Sequence, residues 1–218
     1  MNILDSHYRE RLDGKAPVTV VGAGPAGLAC AIVLARTGRS VVVREWHDTV
    51  GSRFHGDFQG LENWSDRQDV LDELRAVGIE PGFDCHPVRD GTAFDPRGRA
   101  YPLHGEQPLY YLVRRGSGAG SLDRSLLEQA IRAGAAVHFG DRATASDGPT
   151  VLATGPRRAD AIAAGYVFET ERSNGNWITF NNALAPLGYS YLLIHDGHGT
   201  VASCMFTGFK RQAEHVER

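Results

Sequence analysis

The sequence predicts an α/β protein in which a parallel, doubly wound sheet is interrupted by a β-rich layer. Three observations lead there. Residues 17–45 run strand, glycine turn, helix, strand; an amphipathic helix and two further strands follow between 121 and 155; and the stretch from 166 to 208 is dominated by strand-like segments. The 218 residues are enough to bury a core, and 42% hydrophobic with 22% charged residues is ordinary for a globular chain.

PVTVV (17–21) is a short β-branched run ending in glycine, the pattern of a buried strand. From Pro25 to Thr37 the apolar residues Leu28, Ala31, Ile32 and Ala35 recur at helical intervals, and Gly38 stands where a helix C-cap needs positive φ. SVVVRE (40–45) is a second buried strand, and a βαβ crossover of this length implies parallel strands. His47–Asn63 is glycine-rich and polar and reads as a long loop. A helix capped by Ser65 or Asp66 follows, with Val70, Leu71, Leu74 and Val77 on one face.

RDGTAFDPRGRAYPL reads as a hairpin closed by a DPRG turn, and YYLV (110–113) as a strand. After a GSGAG spacer, Ser121 caps a helix whose apolar face carries Leu122, Leu126 and Ile131 and which stops at Gly134. AVHFG and TVLATG are strands, as are YVFET, NWITF, GYSYLLI and TVASCMF, the last two joined by an HDGHG turn.

The motif with chemical content is VVGAGPAGLACAIVLARTGRSVVVRE. Gly22 turns the chain out of the strand, Gly24 admits a pyrophosphate to the backbone, and Gly27 lets the helix pack on the sheet, while Ala23, Pro25 and Ala26 complete the turn. The helix N-terminus then offers N–H groups and partial positive charge to phosphate. Glu45, at the end of the second strand, suits a ribose diol and would repel a 2′-phosphate, which disfavours NADP at this site. The fingerprint by itself serves FAD and NAD equally.

GAGPAGL at this position resembles the flavoprotein oxidoreductases related to aromatic hydroxylases, and within them the geranylgeranyl reductase family. YYLVRRGSGAGSLDRSLLEQAIRAGAAV resembles the family's strand, arginine, "LD" and helix segment, TVLATG its "ATG" strand, and PLGYSYLLIHDGHGTVASCMF its "GY" strand. The resemblance spans residues 17–208. It implies an α/β fold, a Rossmann-like FAD-binding sheet with an inserted β-rich substrate layer. It also implies FAD as cofactor, with NAD(P)H as a transient electron donor. Carried onto this chain, Gly22, Gly24 and Gly27 match the pyrophosphate turn, Glu45 the ribose contact, and Gly155 the glycine lying against the cofactor. Arg114 or Arg115 matches the FAD-binding arginine, Arg114 being favoured, and Arg53 falls in a loop placed close to the flavin. His55 and Asp57 in the same loop are weaker candidates.

The expected domains are discontinuous: 1–78 with 114–155 for the FAD-binding part, 79–113 with 156–208 for the substrate-facing part, and a polar tail at 209–218. Two departures from the family are visible. No later "GD" motif precedes Arg218, so the chain is expected to be the N-terminal part of a longer protein or a shortened relative. In addition, Gly188–Leu193 reads GYSYLL where the family tends to read GYxWxFP, so prenyl specificity does not follow.

The function these features imply is an FAD-dependent oxidoreductase acting on an apolar or unsaturated small molecule, with a flavin monooxygenase as the alternative. The flavin carries the chemistry, so no catalytic acid or base is assigned. A third reading makes the chain a non-catalytic or partner-dependent half of a split flavoprotein, a partner chain or homo-oligomer completing the site. The net charge of −3, with both signs interspersed, offers nothing to nucleic acid. A cytoplasmic location is expected, since the start is polar and the three cysteines (Cys30, Cys85, Cys204) are scattered; peripheral membrane contact stays open. His195, Asp196 and His198 read as a hairpin turn rather than a metal site, and Cys85 with His86 lacks the partners a nucleophile needs. Trp177, Phe180, Tyr189 and Tyr191 are candidates for the wall of an apolar pocket or for ordinary core.

Overall fold

The computed structural model describes residues 16–142, 148–155 and 158–217. The chain opens with β1 (Val18–Val21), α1 (Pro25–Arg36), β2 (Val41–Arg44), β3 (Phe58–Glu62) and α2 (Val70–Ala76). It continues through β4 (Cys85–Val88), β5 (Asp90–Phe94), β6 (Ala100–His104), β7 (Tyr110–Arg114) and α3 (Leu122–Arg132). The remainder is β8 (Ala136–His138), β9 (Thr150–Leu152), β10 (Ile162–Glu169), β11 (Gly175–Thr179), β12 (Tyr189–His195), β13 (His198–Met205) and α4 (Gln212–Val216). These elements form two compact units: residues 1–54, 71–83 and 116–155 in the first, and 55–70, 84–115 and 156–218 in the second.

The first unit is built on a four-stranded sheet in the order β8-β2-β1-β9, every pair parallel. All four residues of β1 are buried, which is why VTVV runs apolar and β-branched without alternation: a central parallel strand is covered on both faces. Leu28, Ala31 and Ile32 of α1 pack with Leu126, Leu127 and Ala130 of α3 and with Ile79 in one core around Val20, Val41 and Val43. The fold class expected from the βαβ unit is the one observed.

Ser121 caps α3 as its sequence position suggests, its side chain accepting a hydrogen bond from the Arg124 N–H. Ile131 is a correction to the expected face of that helix. It is 53% exposed, because nine residues at about 100° each turn it to the side opposite Leu122, and Ala130 takes the buried place.

The second unit contains two sheets. Strands β3, β7 and β4 form a three-stranded antiparallel sheet, and β10-β13-β12-β11-β5-β6 a six-stranded one in which only β11 and β5 run parallel. Phe58, Val88 and Leu112 from the first meet Leu193 from the second in a small core, with Tyr110 and Tyr191 packed against it. The buried Phe58 N–H donates to Thr200 Oγ1 at 2.8 Å, tying β3 to β13.

Four expectations shift here. The loop expected over 47–63 contains β3, whose glycine and polar residues conceal a strand that forms by pairing with β7. Because of that pairing, residues 55–70 belong to the second unit rather than to the dinucleotide-binding one, while residues 79–83 join the first, where Ile79 is buried. The helix expected from Ser65 begins at Val70: Ser65 is held in a turn by Glu62, and Asn63 Oδ1 accepts the Val70 N–H at 2.7 Å. In the segment taken as a polar tail, α4 buries His215, whose Nδ1 lies 3.0 Å from the Ala183 carbonyl oxygen.

Candidate dinucleotide-binding site

The three motif glycines play separate parts. At Gly22 the backbone has φ +106, and a Cβ there would run into the carbonyl oxygen of Ala153. A Cβ on Gly27 would overlap the carbonyl oxygen of Gly22 itself. Both positions serve packing, holding the turn and α1 against β9. Gly24 differs: it is the N-cap of α1 in extended geometry (φ −74, ψ 174), and a Cβ added to it would meet nothing within 4 Å. The space in front of it is open.

No side chain caps α1, no acidic residue stands in its first turn, and Pro25 begins it. The N–H groups of that turn therefore face the open space without a competing side-chain acceptor. Glu45 reaches the same turn. Its Oε2 accepts the Ala23 N–H at 2.7 Å and its Oε1 the His47 N–H at 2.9 Å, which fixes the carboxylate beside the loop with lone pairs to spare for hydroxyl donors.

The "ATG" strand arrives next to the glycine turn because β9 pairs with β1, Val21 opposite Leu152. Gly155 then takes a left-handed conformation (φ +77), and a Cβ on it would lie 4.0 Å from Nη2 of the exposed Arg53. The first unit thus brings together Gly22, Ala23, Gly24, Pro25, Ala26, Gly27, Glu45, Arg53 and Gly155. Arg114 ends β7 in the second unit and pairs there with Asp84 (Nη2 to Oδ2, 3.1 Å). Its neighbour Arg115 donates to Gln59 Oε1 at 2.7 Å, and Asp57 accepts the His55 N–H at 2.6 Å.

Ser121, expected as the cap, also shapes the turn before α3, together with Asp123, whose contact the sequence reading does not anticipate. Ser121 is buried and donates from Oγ to the Gly116 carbonyl at 2.6 Å, and the buried Asp123 accepts the Gly116 N–H at 3.0 Å. The available signal was a carboxylate two residues after an N-cap serine, at the start of a helix that buries one face.

The second unit holds a cavity of about 710 Å³. Trp177, Phe180, Tyr189 and Tyr191, the four aromatics singled out in the sequence, all line it. Burial pushes the hydroxyls of Tyr110 and Tyr191 up to about 12 and raises that of Tyr189, so these phenols stay protonated. Tyr110 also donates to Asn176 Oδ1 at 2.9 Å. The His195 ring lies against that of His86, centroids 3.8 Å apart and planes tilted by 34°, and among the described residues no group of three metal-ligating side chains occurs.

Residues 20–59 match the NAD(P)-binding Rossmann-like domain family. A structure of a geranylgeranyl bacteriochlorophyll reductase-like protein from Thermoplasma acidophilum superposes with a TM-score of 0.69 at 17% identity, covering 93% of this chain and 60% of that one. The flavin-dependent brominase Bmp2 superposes with a TM-score of 0.56 at 15% identity, covering 89% and 57%. The chain shares the fold of these two solved structures.

Among curated proteins, the chain is 30% identical over 189 residues to the methylenetetrahydrofolate–tRNA-(uracil-5-)-methyltransferase TrmFO of Myxococcus xanthus. That match takes in 80% of this chain and 36% of the relative, so the chain spans about a third of the relative's length. Among the described residues, no helix is long and apolar enough to cross a membrane.

Proposed function

We propose that this chain binds FAD on its first unit and belongs to an oxidoreductase that acts on an apolar or unsaturated small molecule, in the manner of the geranylgeranyl reductase-like proteins. The observation that carries the reading is the pairing of an open, uncapped glycine turn with a fixed carboxylate. Gly24 leaves room for a pyrophosphate against the N-terminus of α1, and Glu45 stands at the same turn to accept ribose hydroxyls. The residues present therefore fit a dinucleotide. The choice of FAD over NAD rests on structural neighbours whose own descriptions name FAD or flavin.

Bound FAD would supply the group that carries hydride or activates oxygen. The chain's own residues bind and orient. The first turn of α1 meets the phosphates, Glu45 holds the ribose, and Arg53 beside Gly155 offers a cation to the phosphate or the flavin edge. An NAD(P)H donor, a peripheral membrane contact, and a partner chain or second copy completing the site belong to the same proposal.

The test is the visible absorption spectrum of the purified protein, followed by titration with FAD and, separately, NAD. A flavin spectrum in the protein, or saturable FAD binding that Glu45→Arg abolishes, supports the reading. Binding of NAD alone would replace it with a nicotinamide site.

A further inference from the structure

The cavity of the second unit has a chemical character that narrows what can enter it. Its wall is aromatic and aliphatic, and neither lysine nor arginine lines it among the described residues. The charged pair it does include, Asp90 with His104 (2.7 Å), is exposed at the rim. An anionic ligand would lose its hydration there and find no lysine or arginine in the lining in exchange.

Polar groups converge at one place in the wall. Tyr110 donates to Asn176 Oδ1, and its ring is held over the backbone of Gly60, where a Cβ would lie 3.0 Å from the ring. Asn176 is fixed in turn, with its Nδ2 only loosely bonded to the Asp90 carbonyl at 3.5 Å. The wall thus presents the Asn176 amide donor beside the Tyr110 oxygen, an acceptor. The same cavity is lined by Phe180, Tyr189 and Tyr191, at centroid spacings of 6.5 and 6.3 Å and mutual tilts of 57° and 39°, which suits the faces and edges of a flat ring.

We infer that this cavity selects an uncharged, ring-bearing ligand whose single polar group is a hydroxyl or carbonyl read by Asn176 and Tyr110, and that it rejects carboxylates and phosphates. To regard this ligand as the substrate rests on the oxidoreductase reading; its binding to the cavity does not.

Three probes of one shape separate the contributions: naphthalene, 1-naphthol and 1-naphthoate at pH 7. Trp64 and Trp177 line the cavity and Trp46 does not, so a Trp46→Phe background makes tryptophan fluorescence report on the cavity. The expected order is 1-naphthol about 10-fold tighter than naphthalene, for one hydrogen bond of about 1–1.5 kcal/mol, and 1-naphthoate at least 10-fold weaker than 1-naphthol. Asn176→Leu should erase the advantage of naphthol while naphthalene binds as before, and that unchanged binding shows the variant is folded. Tyr110→Phe should give the same pattern in weaker form. Naphthoate binding as tightly as naphthol, a naphthol advantage that survives both substitutions, or no binding of any probe would overturn the inference. None of these outcomes involves FAD, so the flavin reading stands or falls by its own titration.

Discussion

Substituting alanine at each of the three motif glycines should produce opposite results within one turn of chain. At Gly22 an L-residue would be forced to positive φ, about 1–2 kcal/mol, and its Cβ would press on the Ala153 carbonyl, a further 1–3 kcal/mol or so by analogy with overpacking. At Gly27 the overlap with the Gly22 carbonyl costs about 3 kcal/mol, offset by about 1 kcal/mol of helix propensity. At Gly24 the backbone is already extended and the space is empty, so alanine should be neutral or stabilising by up to about 1 kcal/mol. For a chain of this size each kcal/mol moves the melting temperature by about 2–4 °C. Gly22→Ala should therefore melt on the order of 10 °C lower and Gly27→Ala on the order of 5 °C lower, with Gly24→Ala unchanged or slightly higher. FAD titration should reverse the order. Gly24→Ala, and more so Gly24→Val, places carbon where the pyrophosphate approaches, and the loss of one charge-assisted hydrogen bond at about 1.5–3 kcal/mol weakens binding about 10- to 100-fold. Thermal melts of the apo-protein and equilibrium FAD titrations check both halves. A Gly24→Ala variant that melts as low as Gly27→Ala, or that binds FAD like its parent, would refute the division of roles.

Thr200→Val keeps the shape of the side chain but leaves the buried Phe58 N–H without its acceptor, and chemical denaturation should show a loss of about 1–3 kcal/mol. Asp123→Ala strips the acceptor from the Gly116 N–H inside the first unit and should cost at least as much; Asp123→Asn, which keeps an oxygen, should recover most of it. His195 has its pKa lowered, first by burial, then by His86 and Arg114, with Asp196 opposing; Phe58 packs edge-on against its ring and Asn174 lies 3.3 Å from Nδ1. The unfolded chain therefore takes up this proton more readily than the folded one. Stability should be constant above the ordinary histidine value of about 6.5 and decline as the pH falls below it, until the folded form is protonated too. Denaturation midpoints measured between pH 7.5 and 5 should show that slope, and His195→Gln should flatten it.

The first unit was legible because its signals are local. The glycine turn, the Ser121 cap and the apolar runs of β1 and β2 lie within short windows whose periodicity and turn chemistry decide the structure. The second unit was less so. Strand β3 carries Gly60 at its centre, with Gln59 and Glu62 beside it, and becomes a strand because β7, far along the chain, supplies a ladder. The start of α2 depended on Glu62 and Asn63 reaching forward to Ser65 and Val70, contacts that no helix signal encodes. Among site residues, Glu45 and the glycines could be named from spacing. Asn176, Gln59 and Asp123 could not, because each acquires its role from a partner distant in sequence or from burial that a polar residue does not advertise.

The pairing of β1 with β9 bears on how the chain is made. Thr19 pairs with Val42 on one side almost as soon as both are synthesised, but on the other side it waits for Thr150. Until then the most apolar strand of the protein leaves the ribosome with one edge open, while every strand from β3 to β8 is translated. An open, flat, β-branched edge is a template for pairing with other chains, and slow parallel closure prolongs the exposure. Versions ending before residue 150 should therefore accumulate as insoluble protein, whereas those ending just after β9 should leave the first unit with its sheet complete.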